Sequence, residues 1–170
     1  MTLQIDIKRS ARRRKTIAAR LQGNTLTVFL PAGLNPAEEE RWVQRMVERA
    51  TKAHRRAELN GDGELTRRAA ELNRRYFGGK LAPRSLKYVT NQDNRFGSCT
   101  PTDGTIRISH RLAEMPTWVL DYVLVHELAH LVHANHSPRF WNLVARYKLT
   151  ERARGYLIAK GMEGDEEEDA

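Results

Sequence analysis

An α+β fold is expected from this chain of 170 residues on three observations. Short stretches that alternate apolar and polar residues open the sequence and recur between residues 86 and 108. Apolar residues repeat at helical spacing between and after them. The run His126-Glu127-Leu128-Ala129-His130 lies within an almost wholly apolar stretch, and His136 follows it.

The elements are expected in this order. Leu3, Ile5 and Ile7 alternate, as do Ile17, Ala19 and Leu21, and then Leu26, Val28 and Leu30 beyond the turn signal Gly23-Asn24. This predicts a hairpin with one buried face. The basic run Lys8 to Lys15 is too charged for a core and suits a loop or an exposed edge. Asn35 can cap a helix, Pro36 fits its first position, and Glu38 stands three residues after the cap. Trp42, Val43, Met46, Val47, Ala50 and Ala53 then follow at helical spacing up to Asn60-Gly61-Asp62-Gly63, the expected lobe boundary. A second helix is expected over Glu64–Tyr76, and strands over Leu86–Thr90, Arg95–Cys99 and Thr105–Ile108. A helix should run from about Thr117 to His133, and another should start at Pro138 with Ser137 as cap. The expected organisation is an N-terminal lobe over 1–60, a core over 61–160 and an acidic, disordered tail over 161–170.

On a helix, residues i and i+4 share a face, so the imidazoles of His126 and His130 can reach one metal ion. The H-E-x-x-H pattern is that of zinc peptidases. Zinc lowers the pKa of a bound water to about 7, and Glu127 is placed to take the proton. Burying a glutamate in so apolar a helix is costly unless it serves a metal or a partner. Two histidines compete for the third ligand position. His133, at i+7 from His126, stays on the helix and would leave cramped tetrahedral geometry. His136 needs a turn to swing it back, and Asn135-His136-Ser137-Pro138 offers turn and cap chemistry, so His136 is favoured. Metzincins share this spacing but place glycine where this chain has His133, so either Asn135 is left-handed or the path differs.

No apolar run is long enough to span a membrane, and Met1 to Lys15 lacks an apolar signal core, so the expectation is cytoplasmic. One cysteine, Cys99, excludes an intrachain disulfide. The net charge is +8, and the last eight residues carry −6, so the rest carries +14. Such a body attracts polyanions, nucleic acid included. The leading reading is a metallopeptidase with one zinc per chain acting on a protein or peptide. The alternative is a nucleic-acid-associated zinc-binding module without protease activity, and a third reading is a hydrolase of a non-peptide amide.

Several segments together resemble the YgjP-like metallopeptidases: Arg95-Phe96-Gly97-Ser98-Cys99, Gly104-Thr105-Ile106, Leu120 to His130, Asn135-His136-Ser137 and Phe140-Trp141. The resemblance covers nearly all of residues 3–148. The family is similar in motif to SprT-like proteases, which cleave proteins crosslinked to DNA. It implies a minimal zincin-like core, a small sheet over the H-E-x-x-H helix, with an N-terminal hairpin and helix. It implies His126, His130 and His136 as zinc ligands and Glu127 as general base. Phe96 departs from the tryptophan common there. A strand beside a zincin cleft can pair with extended substrate, which assigns Arg95, Phe96, Gly97 and Ser98 to substrate binding. Cys99 is read as a small buried side chain, and Tyr147 and His133 are the candidates for stabilising an oxyanion.

Overall fold

The computed structural model describes residues 3–92 and 94–161. The acidic tail expected over 161–170 lies outside them except for Gly161. The architecture is α+β, with two small mixed sheets and five α-helices among the described residues. The chain divides into two compact units, one up to Arg55 and one from Arg56 onward.

The first unit holds β1 (Gln4–Ser10), β2 (Ala18–Gln22), β3 (Thr25–Pro31) and most of α1 (Pro36–Gly61). β2 and β3 form the expected hairpin, and Gly23 takes a positive φ of 58° at its turn, where glycine has no Cβ to clash. β1 does not extend that hairpin as a meander. It pairs in parallel with β3 on the other side, giving the order β1-β3-β2. This register sets Ile5 and Ile7 beside Leu26 and Val28. Leu26, Val28 and Leu30 are fully buried and form a core with Met46, Trp42, Val43 and Val47 of α1. The capping box forms as the sequence predicts. Glu38 N–H donates to Asn35 Oδ1 at 2.9 Å, and Asn35 N–H donates to Glu38 Oε2 at 3.2 Å. Arg9 fastens β1 to α1 through a two-pronged pair with Glu39, at 2.9 and 2.5 Å.

The second unit holds α2 (Glu64–Phe77), β4 (Ser85–Val89), β5 (Gly97–Thr100), β6 (Thr105–Ser109), a 3-10 turn (His110–Glu114), α3 (Thr117–His130), α4 (Pro138–Val144) and α5 (Thr150–Ala159). Its sheet has the order β4-β6-β5, with β4 parallel and β5 antiparallel to β6. α3 is the centre of the unit and packs on β5, β6, α2, α4 and α5. Val119, Leu124, Val125, Leu128 and Ala129 of α3 are buried with Ile106, Ile108 and Phe140. Asp121, also buried on α3, receives both prongs of Arg68 from α2, at 2.6 and 2.5 Å. One expectation needs correction, and one helix was not expected. α3 ends at His130 rather than His133, because i→i−3 bonds from Leu131 to Leu128 and from Val132 to Ala129 tighten the chain into a turn. α5 was not anticipated, since its buried residues, Thr150, Ala153 and Leu157, make a sparse apolar pattern.

Candidate metal centre

α3 delivers His126 and His130 one turn apart, and the turn after it returns His136 to the same point. The Nε2 atoms of His130 and His136 each lie 3.2 Å from Nε2 of His126. One ligand atom from each residue falls within 4.8 Å of the others. With ligand bonds of about 2.0–2.1 Å and tetrahedral angles, two nitrogens on one zinc stand roughly 3.3–3.4 Å apart. The two spacings to His126 therefore fit a single zinc-sized ion, and the cluster fits a zincin-like core.

Protonation points the same way. His130 Nδ1 sits 3.3 Å from the carbonyl oxygen of His133, which can only accept, so Nδ1 carries the hydrogen and Nε2 offers its lone pair. Burial, and then the neighbouring His130 and His136, push His126 well below the ordinary histidine value, so it is neutral at pH 7. The three imidazoles, turned nitrogen to nitrogen, form a donor set for a cation.

Of the two candidates for the third ligand, the structure brings His136 to the cluster. His133 instead supplies the carbonyl that orients His130. No non-glycine residue among those described has a positive φ, so Asn135 is not left-handed and the chain returns by a path of ordinary backbone. Ser137 then caps α4, its hydroxyl accepting from Phe140 N–H at 3.4 Å, and Pro138 opens the helix.

The aromatic wall behind the cluster is the part that the sequence had shown only as the apolar stripe of α4. Phe140 is fully buried, and its ring centroid lies 4.4 Å from His130, 4.8 Å from His136 and 4.9 Å from His126. Trp141 stacks on His136 at 5.5 Å and 23°. Its ring also receives the Arg154 guanidinium from α5, at 5.1 Å.

Glu127 is buried, and its carboxylate lies over the start of β5. A Cβ built on Gly97 would stand 2.3 Å from Glu127 Oε1. Cys99, two residues on and on the same strand face, is half-buried. Its thiol is pushed up to about 12, first by burial and then by the charges of Glu127 and Asp103. The rest of the segment is divided in its surroundings. Phe96 is buried under the Arg111 guanidinium at 4.5 Å. Ser98 accepts from Gln92 Nε2 at 2.7 Å. Arg95 is exposed, and its carbonyl accepts from Arg111 at 3.2 Å.

Tyr147 is not brought to the histidines. Its hydroxyl donates to the carbonyl of Trp118 at 2.9 Å, two turns of α3 before His126, and its ring meets Tyr76 edge-on. Burial raises its hydroxyl to about 12.

No helix of the described residues is long and apolar enough to cross a membrane. Comparison with curated proteins and with solved structures finds no match. Residues 6–151 match the sequence model of the YgjP-like metallopeptidase domain. That span takes in all three histidines, the buried glutamate and the strand beside it, and the chain belongs to the YgjP-like metallopeptidase family.

Proposed function

We propose that the protein is a zinc-dependent peptidase in which His126, His130 and His136 hold one metal ion and Glu127 is the general base. The observation that carries this is the convergence of His130 Nε2 and His136 Nε2 on His126 Nε2, each at 3.2 Å, fixed by an orienting carbonyl and an aromatic wall. Zinc, when bound there, supplies Lewis acidity that polarises a peptide carbonyl and makes water nucleophilic near neutral pH. Glu127 lies one residue from His126 and three from His130, about 100° and 60° around the helix, so its carboxylate flanks the ligand pair. It takes a proton from the attacking water and delivers it to the leaving amine. The buried surroundings of Glu127 keep competing solvent away from that carboxylate. The free edge of β5, with Gly97 and Ser98, is the place where an extended peptide would add as a strand.

General-base catalysis contributes about 10²–10⁴-fold. Glu127→Gln should keep zinc and lose hydrolysis of an unfolded protein substrate by that factor. Near wild-type turnover in this variant would contradict the mechanism.

We further propose that substrates include proteins associated with nucleic acid. Support comes from the charge, since Arg12, Arg14, Lys15 and Arg20 are exposed in a first unit rich in basic residues. Nucleic-acid binding that weakens steeply with salt, and nucleic acid that stimulates proteolysis, are the expected results. The alternative of a zinc-binding module without protease activity predicts the same binding with no cleavage.

A further inference from the structure

We propose that Gly97 is a positioning residue for Glu127: the missing side chain at the start of β5 is the space that holds the carboxylate in place. The consequence for turnover rests on reading Glu127 as general base. The contact itself does not.

Backbone conformation does not explain a glycine here. Gly97 is absent from the glycines with positive φ, so any residue could adopt its backbone. What excludes a side chain is Glu127. A Cβ at position 97 would stand 2.3 Å from its Oε1, 2.8 Å from its Cδ and 2.9 Å from its Cγ. Three consecutive atoms are involved, so turning the carboxylate about its last bond would not relieve the clash.

Neither backbone can retreat. β5 is tied to β6 through the pairing of Gly97 with Ile108. Just before it, Phe96 is 2 % exposed, and its carbonyl accepts from Ser109 N–H at 2.7 Å. Arg111 lies over the Phe96 ring and donates to the carbonyls of Gln92 and Arg95, at 3.4 and 3.2 Å. On the other side, Leu124 and Leu128 bury α3 at 0 % and 1 % exposure. A methyl group at 97 is therefore accommodated only by moving the Glu127 side chain to another rotamer. A shift of about 1 Å at a reacting group can lower rate about 100-fold.

The test is Gly97→Ala made in the wild type and in Glu127→Ala, with zinc content, melting temperature and turnover measured on full-length protein. In the wild-type background the substitution should keep zinc, lower kcat about 100-fold or more, leave KM within about threefold and lower Tm by several degrees. In the Glu127→Ala background, where Oε1, Cδ and Cγ are gone, the loss in Tm should vanish. If Gly97→Ala does not fold alone, adding Glu127→Ala should restore folding. An equal Tm loss in both backgrounds, failure of that rescue, or unchanged kcat in Gly97→Ala would overturn the proposal. Hydrolysis retained by Glu127→Gln would overturn the general-base reading instead, and the coupling of melting temperatures would still decide the contact.

Discussion

Replacing Phe140 with alanine would remove a fully buried ring that lies within 4.9 Å, centroid to centroid, of all three histidine rings. The cost divides into two parts. Truncating a buried phenylalanine lowers stability by about 3–5 kcal/mol, a large share of the roughly 5–15 kcal/mol that holds a domain together. The second part falls on the metal, because the imidazoles lose their common wall. Loss of groups that orient metal ligands weakens binding about 10–100-fold. Both parts can be read from urea unfolding with chelator and with a fixed excess of free zinc. At free zinc 100 times the wild-type Kd, zinc should add about 2.7 kcal/mol to the wild type. With Kd raised 10–100-fold, the same zinc should add only about 0.4–1.4 kcal/mol to the variant. An equal gain from zinc in both proteins, beside a large loss in chelator, would refute the idea that Phe140 preorganises the ligands.

Three further outcomes follow from single contacts. Asp121→Ala should lower stability in urea by about 1–3 kcal/mol, below the 3–5 of a fully buried pair, because Arg68 reaches solvent and can rehydrate. No change would mean that the pair is energetically idle. Cys99 should alkylate slowly, since a thiol at about 12 holds roughly a thousandth of the thiolate of an ordinary one at pH 8. Raising pH favours the thiolate, so the rate should still climb at pH 10, and levelling near 9 would contradict the shift. Asn35→Ala removes the acceptor of the Glu38 N–H and should cost about 1 kcal/mol, measured by thermal unfolding, with catalysis untouched.

Features set by neighbouring residues were legible in the sequence. The capping box at Asn35 and Glu38, the Ser137-Pro138 start of α4, the buried character of α3 and the pairing of His126 with His130 all follow from local chemistry. Features set by distant chain segments were not. That β1 joins β3 in parallel depends on which apolar strands meet, and alternation alone does not encode it. The end of α3 at His130 depends on a turn that returns His136, made without the glycine or left-handed asparagine that a reader of the sequence would look for. Phe140 read as an ordinary apolar helix residue, and only the fold puts its ring against three imidazoles. Tyr147 read equally well as core or catalytic, and its bond to the Trp118 carbonyl places it in the core. Gly97 was visible as a residue permitting close approach, but the neighbour that approaches here is the Glu127 carboxylate.

The central claim is that His126, His130 and His136 form one metal site, with His133 outside it. Elemental mass spectrometry of the wild type, His136→Ala and His133→Ala, each purified with zinc supplied, tests it most directly. About one zinc per chain is expected in the wild type and in His133→Ala, with most of it lost in His136→Ala. Zinc retained by His136→Ala and lost from His133→Ala, or no zinc in the wild type, would contradict it.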